Sequence, residues 1–311
     1  MKKALIAAFA LATTLSAQTA INQDRMITPL PNLVPFDKQK AILGKALYMD
    51  TSLSKDGKVS CNTCHNLKTF GVDNEVFSTG AGGVLDEPFN TPSTFNAVFN
   101  FVQFWDGRAK DLADQATNPF TNPKEMALKD EAQVIEMVEA NPKYKSEFDK
   151  LYGGVTLESI TDAIAEFEKT LITPNSPFDR YQSGDENAIS EAAKRGWEAF
   201  KTNGCVACHQ GQNVGGTMYQ KIGIFEPYPN QENLGRYEIT KNEADKMVFK
   251  VPSLRNVAKT APYYHDGSVP TLDACVQFMA YYQLGRFLDQ PTVDDIVAFL
   301  ESLTGEFNEQ F

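Results

Sequence analysis

Histidine is scarce in this chain: His65, His209 and His265 are the only three in 311 residues. Any chemistry that runs on imidazole must run on these. Positive charge is also in deficit, with 29 Lys and Arg against 40 Asp and Glu, a formal net charge of −11. That balance excludes the electrostatic footprint of a nucleic-acid binder. The five cysteines are an odd number, which argues against a pure disulfide framework. Phosphate-cradling glycine loops and a serine-hydrolase elbow are missing, and Gly80 to Gly83 reads as a flexible loop. Strand-like alternation is sparse.

Long apolar runs are absent apart from Ala4 to Ala12, which follows the basic start Met1-Lys2-Lys3 and precedes Leu15-Ser16-Ala17. Basic start, short apolar stretch and small-residue site read as a secretory signal over residues 1–17. The expectation is a soluble, exported, periplasmic protein without a membrane span.

What is present is a duplication. Cys61-Asn62-Thr63-Cys64-His65 and Cys205-Val206-Ala207-Cys208-His209 repeat one motif. Behind each comes P-S-x2-N-x9-D-G-x4-L: Pro92, Ser93, Asn96, Asp106, Gly107 and Leu112, then Pro252, Ser253, Asn256, Asp266, Gly267 and Leu272. Fixed-spacing identity of this length marks two copies of one unit. Helical spacing is expected over Phe36 to Met49 and Ser190 to Thr202, the latter stopped by Gly204. It recurs over Thr156 to Leu171 and Thr292 to Leu303, with Thr292 and Asp295 as a capping box and Gly305 as a stop. The expected fold class is all-α, with two domains in tandem over 18–180 and 181–311. Pro174, Pro177 and Gly184 mark the boundary between them.

C-x-x-C-H is the attachment signal for c-type haem: two thiols form thioethers and the imidazole becomes an axial ligand. Two motifs imply two haem c groups. A tetrahedral zinc site built from both Cys-x-x-Cys pairs, or thioredoxin-like redox chemistry, is the competing use. Neither calls for a histidine after each second cysteine. Cys275, one helical turn before Met279, is left over and reads as a buried spectator. His265 occupies in the second repeat the place of Trp105 in the first.

The segments VSCNTCHNL from Val59, AVFNFVQFWDGRAKDLADQA from Ala97, NPKEM from Asn122 and FKVPSLRNVAKTAPYYHDG from Phe249 go well beyond CxxCH. Through them the chain resembles the bacterial di-haem cytochrome c peroxidases over nearly its whole length, and the related methylamine-utilisation di-haem enzyme. The resemblance implies a high-potential haem on Cys205, Cys208 and His209, with Met279 as its sixth ligand where the methylamine-utilisation enzyme has a tyrosine. It implies a peroxide-reducing haem on Cys61, Cys64 and His65. Many family members offer that iron a removable histidine. Here Ala81 falls at that place and Pro119 is the repeat counterpart of Met279, so the first iron is expected to be open or water-bound.

The family's catalytic glutamate maps onto Glu125, a neighbouring hydrogen-bonding residue onto Gln115, and the relay tryptophan between haems onto Trp105. His265 is expected among the residues around the second haem. A calcium ion between the domains maps onto Asn90, Thr260 and Pro262, oxygen donors suited to a hard cation. Implied partners are hydrogen peroxide, a small cytochrome c or copper protein as donor, and a second copy in a homodimer. The rival readings are a di-haem electron carrier without catalysis and an oxidase of a protein substrate.

Overall fold

The computed structural model describes residues 26–84 and 89–311; the signal segment at 1–17 lies outside them. In the first half come α1 (Lys38–Met49), α2 (Cys61–Cys64), the β1–β2 hairpin (Thr79–Gly80, Gly83–Val84), α3 (Leu112–Thr121), α4 (Glu131–Ala140), α5 (Pro142–Tyr152) and α6 (Leu157–Glu168). A short α7 (Pro177–Gln182) leads to α8 (Glu191–Thr202), β3 (Tyr219–Lys221), α9 (Tyr237–Thr240), β4 (Val248–Lys250), α10 (Leu272–Leu284) and α11 (Gln290–Glu301). The strands are two or three residues long and form two antiparallel pairs, so helix dominates among the described residues. None of these helices is long and apolar enough to cross a membrane.

Local chemistry sets most helix ends. Asp37, Thr156 and Ser190 cap α1, α6 and α8 by accepting from first-turn amides. Two expectations fail at the C-terminal helix. Asp289, not Thr292, caps α11: its carboxylate accepts from the Thr292 amide, so Thr292 sits inside the first turn. Gly305 does not stop that helix, which ends at Ser302. Its amide instead donates to Asn256 Oδ1, and a Cβ there would lie 1.9 Å from the Thr173 carbonyl oxygen. Helices α3, α4 and α5 escaped the periodicity reading. Pro119 interrupts α3, and α4 and α5 are separated by Asn141 alone.

The duplication is built in three dimensions. α1 crosses α6 at Gly44, where a Cβ would stand 1.8 Å from the Ala163 carbonyl oxygen. α8 crosses α11 at Gly196, with the same 1.8 Å to the Asp295 carbonyl oxygen. Only glycine lets the helix backbones approach so closely. One turn on, Tyr48 meets Phe167 edge-on at 5.1 Å, and the equivalent Phe200 meets Phe299 at 5.1 Å. The isolated bridges Gln103–Ala109 and Tyr263–Val269 frame the two Asp-Gly turns in the same register.

Apolar side chains gather in two main cores. One collects Leu43, Tyr48, Phe148, Ile160, Phe167 and Leu171. The other collects Phe178, Trp197, Phe200, Phe249, Phe299 and Leu303. The change of core falls between Leu171 and Phe178. The chain ends cross over: Ile27 belongs to the second core, while Phe307 and Phe311 pack against the first. Arg255 anchors this crossing. Wholly buried, it pairs with Asp179 at 2.7 Å and donates to the Thr28 and Gln212 carbonyl oxygens at 3.0 and 2.9 Å.

Candidate functional site

The two CxxCH segments turn their backbones alike. The amide of His65 donates to the Cys61 carbonyl at 2.8 Å, and that of His209 to the Cys205 carbonyl at 3.1 Å. One tight turn thus brings two thiols and an imidazole to one side of the chain. Cys61, Cys64 and His65 line one cavity; Cys205, Cys208 and His209 line another. None of the five cysteines is in a disulfide. Burial pushes Cys64 and Cys205 each up to about 11 and raises Cys61 further, so these thiols stay protonated at neutral pH.

Both imidazoles are held neutral. Burial lowers His65, and pushes His209 down to about 4. His65 Nδ1 lies 3.3 Å from the Gly71 carbonyl oxygen, which fixes the proton there and leaves Nε2 with a free lone pair. His209 Nδ1 is buried beside the Val214 and Pro252 carbonyls without closing a hydrogen bond. Two thiols and one neutral imidazole on each wall match the donor set of a c-type haem. The two Cys-x-x-Cys pairs line different cavities, so they cannot close one zinc tetrahedron. Among the described residues no group of three His, Cys, Asp or Glu is arranged to hold a metal ion.

The remaining candidates sort between the cavities. Glu125 and Gln115 line the first, the former on the loop after α3 and the latter on α3 itself. Asn122 Nδ2 donates to Glu125 Oε1 at 2.7 Å, which orients the carboxylate. Ala81, where the removable histidine would stand, is 4% exposed in the β1–β2 turn. Its amide donates to the Glu125 carbonyl at 2.7 Å. The Gly80 to Gly83 stretch is thus a docked hairpin: a Cβ on Gly80 would lie 1.9 Å from the Lys124 carbonyl oxygen. Pro119 and Met126 also line the first cavity, and Met126 is a member of the first core.

Met279 projects from α10 into the lining of the second cavity, with Cys275 one turn before it. Burial pushes the Cys275 thiol up to about 12. His265 lines the same cavity and stacks on Phe249 with ring centres 4.3 Å apart. Trp105 is the one aromatic side chain, among the described residues, that lines both cavities. Its indole Nε1 donates to the Asn90 carbonyl at 2.9 Å. Asn90, Thr260 and Pro262 meet at the second cavity, and Asn90 Nδ2 donates to the Glu75 carbonyl at 2.8 Å.

Sequence reasoning did not single out the other charged residues on these walls: Arg108 and Glu168 at the first cavity, and Lys221, Lys250 and Arg255 at the second. Arg108 pairs with Asp106 at 2.8 Å and covers the Phe104 ring at 3.6 Å. Its place directly after the first Asp-Gly turn was the available signal. Glu168 and Lys250 gave none, because residue type does not reveal burial.

Over most of its length the chain is similar to known proteins. The chain is 47% identical to a cytochrome c551 peroxidase of Nitrosomonas europaea, over 90% of this chain and 84% of that one. The chain belongs to the di-haem cytochrome c peroxidase family. The family's sequence profile, described as di-haem cytochrome c peroxidase, matches residues 38–187. A cytochrome c peroxidase of Escherichia coli is 49% identical over 92% of this chain, which spans 62% of that relative's length. Methylamine utilization protein MauG of Methylorubrum extorquens is 34% identical over 89% of this chain and 82% of that one. Among solved structures, a MauG-like protein associated with microbial copper homeostasis superposes with a TM-score of 0.75 at 26% identity, covering 91% of this chain and 94% of that one. Membership of the family implies haem cofactors, and each of the two cavities carries two thiols and a neutral imidazole.

Proposed function

We propose that this protein reduces hydrogen peroxide to water in the periplasm, using electrons from a small cytochrome c or copper protein. The balance is H2O2 + 2 e⁻ + 2 H⁺ → 2 H2O. One haem would be held by Cys61, Cys64 and His65, the other by Cys205, Cys208 and His209 together with Met279. When bound, the haems supply one-electron redox chemistry and, at the first, a place for peroxide. The observation that carries this reading is the division of side chains. Glu125 and Gln115 share the first cavity, while Met279 on α10 stands at the second.

The protein's own part is proton handling and wiring. Asn122 Nδ2 orients Glu125 through its Oε1, and the Glu125 carboxylate takes a proton from one peroxide oxygen and returns it to the other as the O–O bond breaks. Gln115 holds the substrate by hydrogen bonding from the same wall. Trp105, shared by both cavities, relays electrons between them. Ala81 and Pro119 offer no donor and Met126 belongs to the first core as well as the cavity wall, so no sixth protein ligand is assigned to a haem that would be held there. The acidic surface favours a basic donor. The residue 1–17 signal, domains at 18–180 and 181–311, a homodimer, and a calcium ion on Asn90, Thr260 and Pro262 complete the proposal. The calcium donors are side-chain amide and backbone oxygens, hard ligands of the right class but without a carboxylate.

Glu125→Gln tests the assignment. Peroxide turnover with a reduced donor is expected to fall about a hundredfold or more while both haem spectra are unchanged. Unimpaired turnover removes Glu125 from the chemistry.

A further inference from the structure

Two of the backbone amides that cross between the halves do so at equivalent places in the duplication. The Asn90 amide donates to the His265 carbonyl at 2.6 Å, and the Lys250 amide to the Trp105 carbonyl at 2.7 Å. Trp105 and His265 precede equivalent Asp-Gly turns, and Asn90 and Lys250 stand two residues before Pro92 and Pro252. Lys250 therefore holds in the second half the place that Asn90 holds in the first. Their side chains differ in what they need. Asn90 places its amide on the Glu75 and Val76 carbonyls at 2.8 and 3.2 Å. Lys250 is 6% exposed on the wall of the second cavity, and no described residue gives its ammonium a hydrogen bond or ion pair.

A cation without a partner on a largely buried side chain at a cavity wall is costly, and a neutral side chain of similar length would avoid the cost. Burial holds Lys250 down at about 8, the mark of a cation lacking an anion. A haem carries one kind of anion, its two propionates. If the second CxxCH holds a haem, as proposed above, those carboxylates enter the cavity that Lys250 lines.

We propose that Lys250 is the propionate-binding cation of the second haem, and that its positive charge raises that haem's reduction potential relative to the first. The duplication supplies the contrast, because the first half has an uncharged amide at the same place. Lys250 is a positioning and tuning residue here and takes no part in proton transfer to peroxide.

The test is a spectroscopic redox titration of the holoprotein and three variants, with haem content measured on each. Lys250→Met is expected to lower the reduction equilibrium constant of the second haem about tenfold or more, with the first haem unmoved. Lys250→Arg, which keeps the charge, should stay close to the parent. Lys250→Gln carries the same expectation as Lys250→Met should the latter fail to load haem. An unshifted second haem in fully loaded uncharged variants, or an equal shift of both haems, overturns the proposal and leaves the peroxidase reading standing. A parent protein with no second haem overturns both.

Discussion

Asn96 and Asn256, 160 positions apart in the chain, donate to the same oxygen. Their side-chain amides reach Thr173 Oγ1 at 2.8 and 2.9 Å, and both residues are fully buried with φ near +61°. The remaining oxygens are used alike: Asn96 Oδ1 accepts from the Thr173 amide at 2.9 Å, and Asn256 Oδ1 from the Gly305 amide at 3.1 Å. Thr173 thus joins the two halves of the duplication at equivalent points.

Removing that hydroxyl leaves two buried amide donors unmet. Thr173→Val is expected to destabilise the holoprotein by about 2–4 kcal/mol, since each orphaned donor costs about 1–3 kcal/mol. Denaturant unfolding measures this, and a change below about 0.5 kcal/mol would show that the shared acceptor does not matter.

The buried pair between Arg255 and Asp179 predicts a second loss. Asp179→Asn leaves the Arg255 guanidinium uncompensated, with an expected cost of about 3–5 kcal/mol. Because Arg255 also holds the Thr28 carbonyl, early proteolysis near the start of the described chain should accompany the loss. An unaltered unfolding midpoint and cleavage pattern would contradict this.

Glu168 sets a pH dependence. Its Oε2 is buried without a partner, and burial pushes the carboxyl up to about 8. The folded state therefore holds the proton more tightly than the unfolded chain. This contribution to stability is full below the ordinary carboxylate value and lost as pH rises through about 8. Glu168→Gln should match the parent at about pH 4 and melt about 3 °C or more higher at pH 9. A gain of equal size at both pH values would assign the effect to something other than this carboxyl.

The duplication was readable because its residues are ones the backbone demands. Asn96 and Asn256 sit in left-handed conformations and fill buried hydrogen-bond sites, while Gly107 and Gly267 turn with φ of +71° and +63°. Such places tolerate little substitution, so both copies keep the same letters. CxxCH was readable for the same kind of reason, since the chemistry fixes residue and spacing together. Gly44 and Gly196 were not, because a close helix crossing gives a lone glycine in a helical pattern and nothing more. The cap of α11 misled: Asp289 and Thr292 compete as first-turn acceptors, and the carboxylate nearer the chain start won. Glu168 and Lys250 look like surface charges until the fold buries them. The crossing of the chain ends, Ile27 to the second core and Phe311 to the first, has no local signal at all.

A spectroscopically monitored redox titration of the purified protein tests most directly whether two covalently held haems carry unequal axial ligation. The expected result is two haems per chain. The one that reduces at higher potential should be low-spin with histidine and methionine ligation that Met279→Ala abolishes, and the other should be high-spin or water-bound when oxidised. Two low-spin haems with both axial positions filled by protein, or a chain without covalent haem, would contradict it.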